Sequence, residues 1–210
     1  MVKRCVRVYI EGGVEGKIAD ADFRRGWKKF LIELHELARN NDFNSLEIVR
    51  GKGRSQAYES FIKRRNAYPE DLCVLLVDSE TAVPSGTPVW DVVKNRAGDK
   101  WQRPAWATEN HLYLMVHFVE TWLLTDQFAL QLFFKRNFNP KPLPTTNLEN
   151  RPKNEIEQAL NKATKHSSKG AYRHGQAHEI MELISPGKVK TLYHGNRLFE
   201  TLGNFIQGTI

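Results

Sequence analysis

Three carboxylates carry most of the chemical content of this 210-residue chain. Glu11 closes the apolar stretch CVRVYI and is followed by Gly12 and Gly13, while Asp78 and Glu80 close the apolar stretch LCVLLV. An acid placed directly after a hydrophobic strand lies at a strand end, and open parallel sheets bind their ligands outside the C-terminal strand ends. If the two strands are neighbours, Glu11, Asp78 and Glu80 converge. Two like charges about 4 Å apart repel by roughly 1 kcal/mol in water and roughly 4 kcal/mol at an effective dielectric of 20. A fold does not gather such groups without compensation. Hard divalent cations supply it, and Mg²⁺ typically takes one or two carboxylates together with water and phosphate oxygens. For a single acid, a helix cap or a solvated surface position is the plainer reading. Two strand ends and a backbone freed by glycine favour a metal site.

The elements that must position these acids are legible from periodicity. Residues 5–10 alternate apolar and polar side chains and read as a strand, with EGG as a glycine turn. Residues 20–38 place Phe23, Trp27, Phe30, Leu31, Leu34 and Leu37 on one helical face, with Asp20 or Asp22 as the cap. Leu46 to Val49 is a short strand. GKGRS is a loop, and Ser55 is the expected cap of a helix from about 56 to 67. Asp71 to Val77 reads as the clearest strand, and its LCVLLV stretch is apolar throughout, as in a central strand covered on both faces. Strand–helix–strand–helix–strand in this order predicts an α/β fold with a mostly parallel sheet flanked by helices.

Residues 81–108 read as a long loop, unusual inside a compact domain and therefore of functional interest. Its Trp90, Trp101 and Trp106 are expected to pack it down, with base stacking as the alternative. Leu112 to Val116 is a further strand, followed by a helix from about 119 to 134. Residues 139–152 form a Pro- and Asn-rich connector. Helices are expected at about 153–164, 176–184 and 196–206. The expected division is a metal-binding domain over 1–135 and a helical C-terminal extension, 136–210, packed on it.

Composition bounds the setting. Hydrophobic residues at 40% and charged residues at 26% argue against disorder. No apolar run reaches the roughly 18 residues of a membrane span; Leu112 to Leu124 is interrupted by His117 and Glu120. The first apolar stretch meets Glu11 too soon for a signal peptide. Cys5 and Cys73 are too few for a disulfide scaffold or a four-cysteine zinc site, and read as buried thiols in a reducing cytoplasm. A cytoplasmic protein with no membrane association is expected.

Lys+Arg 31 against Asp+Glu 24 gives a net charge of +7, which favours a polyanionic partner. The basic clusters comprise Arg24, Arg25, Lys28 and Lys29, then Arg50, Lys52 and Arg54, then Lys63, Arg64 and Arg65. From these, Arg25, Lys52, Arg54 and Arg64 are candidate nucleic-acid contacts. Arg54, at the second strand end, shares an edge with the carboxylates and is placed to hold phosphate bidentately. His174 and His178 have the i, i+4 spacing of zinc ligands but lack the HExxH form. There is no P-loop, so no ATP hydrolysis by that route is expected.

The strings VYIEGG and LLVDSE resemble the Toprim (topoisomerase–primase) domain, in which one hydrophobic strand ends in Glu-Gly and a later one in Asp-x-Asp or Asp-x-Glu. More specifically, the chain is similar to the bacterial Toprim-like domain-of-unknown-function family 4276. The similarity runs in order through RVYIEGG, FRRGWKKFL, GRSQAYESF, LLVDSE, HLYLMV with VETWLLTD, FNPKPLP, KGAYRHG and ISPGKV. It implies a Toprim-like fold, with Glu11 as metal ligand or general acid/base and Asp78 and Glu80 as the metal-binding pair. Glu15 stands where primase-type domains often carry Asp. Glu120, in VETWLLTD, resembles a later acidic residue and is a further candidate ligand, whereas Asp126 reads as a structural cap. Lys169 and Arg173 flank KGAY. Nucleases of the OLD (overcoming lysogenization defect) type use a lysine near the metals to offset transition-state charge, which makes Lys169 a candidate beside Glu11 and Arg54. Arg173 is a candidate nucleic-acid contact.

The resemblance implies a Mg²⁺- or Mn²⁺-dependent nuclease acting on DNA or RNA, in anti-phage defence with an ABC/AAA-type ATPase encoded nearby. Two alternatives stand beside it. One is a non-catalytic Toprim-fold adaptor or sensor subunit of an ATPase complex. The other is the phosphoryl or nucleotidyl chemistry of primases and topoisomerases, although a topoisomerase needs a tyrosine domain for which the chain leaves little room.

Overall fold

The computed structural model describes residues 4–12 and 17–210. Gly13 and Glu15 lie outside the described residues. Four parallel strands form one sheet in the order β2-β1-β3-β4. The strands are β1 (Val6–Gly12), β2 (Leu46–Lys52), β3 (Leu72–Asp78) and β4 (Leu112–Met115). The α/β architecture with a parallel sheet flanked by helices is therefore as the pattern predicts.

Side-chain alternation divides β3 between two cores. Val74 and Leu76 join Val8 and Ile10 of β1 on one face, while Cys73, Leu75 and Val77 join Tyr9 on the other. This is why the strand is apolar from Leu72 to Val77: a period of two assigns each residue to one covered face. Helix α3 (Arg54–Ala67) covers the second face with Ala57 and Phe61. Helix α4 (Val89–Asn95) adds Val89, Trp90 and Val93. The 81–108 segment thus contains a helix and is not all loop. Its tryptophans pack: Trp90 and Trp101 are buried, Trp101 stacks on Tyr58, and Trp106 lies against Phe61.

The first face is covered by α1 (Lys17–Phe30) and α2 (Ile32–Asn40). The single helix expected over 20–38 is two helices, broken at Leu31. Phe23, Trp27, Phe30, Leu31 and Leu34 are nevertheless all buried, as their spacing requires. Neither Asp20 nor Asp22 caps α1, because the helix already begins at Lys17; the two acids pair with Arg50 and Arg25 instead. The expected 119–134 helix is also two, α5 (Val119–Leu123) and α6 (Gln127–Phe134). Asp126 caps α6, accepting from the Ala129 N–H at 3.1 Å and also from the Ser185 N–H at 3.0 Å. Four helices follow: α7 (Lys153–Thr164), α8 (Ala177–Met181), α9 (Pro186–Val189) and α10 (Tyr193–Gln207). Their apolar side chains enter the same core as α1 and α2.

Two glycines are required where they stand. A Cβ on Gly12 would meet Phe23 at 2.9 Å and the Arg50 side chain at 3.0 Å, so the end of β1 admits no larger residue. Gly53 starts α3 with φ +117, a conformation L side chains rarely adopt. Ser55 is consequently inside the helix and is not its cap.

The N-terminal edge of the sheet is tied by Asp71, which is buried. It accepts from the Cys5 N–H at 2.8 Å, from Arg7 at 2.9 Å and from Arg64 at 2.7 Å. Arg64 therefore works at the end of the sheet remote from Glu11 and Asp78. Burial alone would raise the Asp71 carboxyl, but its hydrogen bonds from Arg7, Cys5 and Arg64 outweigh this and hold it below its ordinary value. A depressed folded-state pKa stabilises above the unfolded value and loses that contribution as pH falls through the folded one. Asp71→Ala should cost about 2–4 kcal/mol at neutral pH by leaving donors unpaired. Urea unfolding should show the gap between wild type and variant narrowing below about pH 4; a gap constant with pH would contradict the assignment.

Candidate metal centre

The register of β1 and β3 brings the predicted acids together. Ile10 is the partner of Leu76, so Glu11 and Asp78 leave adjacent strands at the same end. The Asp78 N–H donates to Glu11 Oε2 at 3.3 Å. Oxygens of Glu11, Asp78 and Glu80 all lie within 4.8 Å of one another, a spacing that one cation can span.

Glu80 reaches this position through an unusual backbone. Its φ is +65, and His117, opposite it, has φ +56. Non-glycine residues in this region are sparse and concentrate at functional sites. The turn is held by three bonds. The Ser79 N–H donates to Met115 O at 2.9 Å, the Glu80 N–H to His117 O at 2.8 Å, and the His117 N–H to Ser79 Oγ at 2.9 Å. The end of β4 thereby fixes the direction of Glu80.

Electrostatics mark Asp78 as the centre of the group. Its Oδ1 is buried and has no hydrogen-bond partner among the described residues. Burial pushes its carboxyl well above the ordinary value, and the charges of Glu11, Glu120 and Glu80 push it further the same way. Glu11 is also raised, by burial first, although Arg54 pulls against the shift. A carboxylate with one oxygen buried and unpartnered among the described residues, beside three other acids, calls for a proton or a cation. The donor set is all carboxylate oxygen, which suits Mg²⁺ or Mn²⁺.

Two cations already stand in the group. Arg54 Nη1 donates to Glu11 Oε2 at 2.9 Å and to the Asp78 carbonyl oxygen. Its other nitrogens clamp Asp99, from Nε at 2.7 Å and from Nη2 at 2.6 Å. The Arg54 side chain is only 10% exposed, and Arg96 adds a further bond to Asp99 at 2.8 Å. The bidentate fork expected for phosphate is therefore spent on Asp99, and Arg54 instead fixes Glu11 from behind. The second cation is Lys153, whose Nζ lies 2.9 Å from Glu80 Oε2 and which also feels the charges of Asp78 and Glu120.

Glu120 is 2% exposed and close enough to Asp78 to influence its titration, but it is not one of the three residues whose oxygens are mutually within reach of one ion. Its Oε1 accepts from the Tyr172 hydroxyl at 2.6 Å and faces His174 Nδ1 at 2.6 Å. Lys169 stands elsewhere, 3.7 Å from Glu179 and over the Phe133 ring. His174 and His178 share no ligand position: His178 packs on Phe23 with ring centroids 4.5 Å apart. Lys52 is exposed at the end of β2, paired in register with Gly12, and Arg173 is exposed beside His174. Arg25, on α1, pairs with Asp22 of the same helix and with Glu182 at the end of α8, each at 2.9 Å.

Sequence reasoning missed Lys153, Asp99 and the Glu120–Tyr172–His174 set. Lys153 lies 73 residues from Glu80 and has no local pattern that connects them. Tyr172 and His174 stand in the string KGAYRHG, where the histidine is legible but its carboxylate partner is not.

A family model described as "Domain of unknown function (DUF4276)" matches residues 10–203. No curated protein and no solved structure matches the chain.

Proposed function

The chain belongs to the DUF4276 family, and within it we propose that this protein is a divalent-metal-dependent phosphodiesterase of Toprim type that cleaves nucleic acid. The observation that carries this reading is the convergence of Glu11, Asp78 and Glu80 at one sheet end, with Asp78 Oδ1 buried and unpartnered among the described residues. These three residues would hold Mg²⁺ or Mn²⁺, which when bound polarises a phosphoryl oxygen and lowers the pKa of bound water. Arg54 fixes Glu11 and the end of β3. Lys153 offsets the charge of Glu80. Lys52 and Arg173, exposed near the same edge, would take phosphates of the strand, while Arg25 and Arg64 are engaged with acids away from it.

A cavity of about 690 Å³ lies elsewhere, lined by Trp90, Lys94, Glu109 and Arg197 among others, and includes none of the three acids. An ATPase partner and a role in phage defence belong to the same proposal, through the resemblance to OLD-type nucleases.

One observation favours the adaptor reading. Arg54 pairs with Glu11 and Lys153 with Glu80, so a proton on Asp78 would leave the group electrically closed without a metal. Cleavage assays on DNA and RNA with Mg²⁺ or Mn²⁺, and with chelator, separate the two. Binding should weaken steeply with salt because each phosphate contact releases a counterion, and Lys52→Ala should lower the slope of log K against log salt by about 1. Absence of nucleic-acid binding at low salt, with or without a partner ATPase, would favour the adaptor.

A further inference from the structure

The buried Glu120 holds an exposed histidine by one nitrogen, while the other lies 3.8 Å from Glu157. His174 has 65% of its side chain exposed, while the Glu120 side chain facing it is 3% exposed. An ionised carboxylate only accepts hydrogen bonds, so Nδ1, 2.6 Å from Glu120 Oε1, carries a hydrogen. The Tyr172 hydroxyl donates to the same oxygen at 2.6 Å, which fixes the carboxylate in turn. Tyr172 also packs its ring edge-on to the imidazole, with centroids 5.8 Å apart. A buried acid that fixes the tautomer and direction of an imidazole is the arrangement by which enzymes orient an acid–base histidine.

The surroundings of Nε2 are set by α7. Glu157 Oε1 lies 3.8 Å from Nε2 and Lys153, one turn earlier on the same helix, bears on the imidazole as well. Lys153 is the residue bonded to Glu80. The groups facing His174 are therefore Glu120 from α5, Lys153 and Glu157 from α7, and Tyr172 from its own segment. Lys153 thus bonds Glu80 and bears electrostatically on Asp78, Glu120 and the imidazole, which places His174 beside the acidic group.

We propose that His174 is a catalytic residue of the phosphodiesterase, donating a proton from Nε2 to the leaving oxygen. The inference rests on the phosphodiesterase reading and adds the general acid that the three carboxylates do not supply. In the step, the oxygen of a water forms a new P–O bond and releases a proton to solvent. The P–O bond to the departing nucleoside breaks, its electron pair passes to the leaving oxygen, and that oxygen takes the proton from Nε2. His174 regains a proton from solvent, and the products are an alcohol and a phosphate monoester. Glu120 and Tyr172 act only through the histidine and are positioning residues.

A leaving group that needs no proton isolates this role. Two oligonucleotides of one sequence are compared under Mn²⁺, one with the natural bridging oxygen at the scissile position and one with sulfur there. His174→Gln is expected to slow cleavage of the oxygen substrate by about 10²–10⁴-fold, the usual contribution of a general acid, and to leave the sulfur substrate within a few-fold of wild type. Calorimetric Mn²⁺ affinity of the variant should equal that of wild type, which also shows that the site is intact. Equal slowing on both substrates overturns the inference and leaves the nuclease reading standing. Loss of Mn²⁺ affinity makes His174 a ligand and likewise overturns it. If the wild type cleaves neither substrate, the nuclease reading falls and the inference with it.

Discussion

Asp78→Asn should give a protein that is more stable than wild type in the absence of divalent cations at neutral pH, and nearly inactive. The carboxylate is buried, its Oδ1 is unpartnered among the described residues, and Glu11, Glu120 and Glu80 all raise its pKa. Removing one charge from such a group relieves repulsion on the order of 1–4 kcal/mol. The sign follows from linkage. A folded-state pKa above the unfolded one means that the native state holds the proton more tightly, so stability is greatest in acid and falls as pH rises through the folded value. Wild type should therefore lose stability as pH climbs above the ordinary aspartate range, and the variant should lose less. Mn²⁺ should return the lost stability to wild type and not to the variant, because a ligand that binds the native state stabilises it by mass action. Cleavage should fall by about 10³-fold, the equivalent of several kcal/mol of lost charge stabilisation. Thermal unfolding across pH with and without Mn²⁺ checks each part, and a variant less stable than wild type throughout would contradict it.

Arg54→Ala should have the largest structural effect of any substitution near the site. The guanidinium is 10% exposed and is shared by Glu11, the Asp78 carbonyl oxygen and Asp99, whose side chain is 2% exposed. Its removal leaves Asp99 with Arg96 alone and Glu11 without its cation. Breaking a buried pair from one side costs about 3–5 kcal/mol because the remaining charge stays buried and uncompensated. Arg54→Ala combined with Asp99→Asn should be less destabilised than the sum of the single variants, with a coupling of roughly 1–3 kcal/mol. Urea unfolding of the four proteins measures this. Additive effects would show that Arg54 and Asp99 do not act as a unit, and that Arg54 is free for the phosphate contact its sequence position suggested.

These expectations rest on features of unequal legibility. The sheet was readable because period-two alternation and the apolar run from Leu72 to Val77 each have one physical meaning, and because an acid at a strand end followed by glycine is a local pattern. Glu11, Asp78 and Glu80 are each written within two residues of a strand end. Arg54 was readable as an edge residue, but not as the clamp between Glu11 and Asp99. Its partner sits 45 residues away in a segment whose one short α-helix, Val89–Asn95, lies below what periodicity resolves. Lys153 was hidden for the same reason, since nothing local marks a lysine after the Pro-rich connector as the counter-charge of Glu80. Helix breaks at Leu31 and between α5 and α6 were invisible because the apolar face continues across them. The left-handed conformation of Glu80 depends on bonds from the end of β4 and is a tertiary property.

The central claim is that Glu11, Asp78 and Glu80 hold one divalent cation, and the most direct test is isothermal titration of Mn²⁺ into wild type, Asp78→Asn and Glu80→Gln at neutral pH and low salt. Wild type should bind saturably, and each variant should bind about a hundredfold more weakly, a loss of roughly 3 kcal/mol. Equal affinity in all three proteins, or no binding by wild type, would contradict the account.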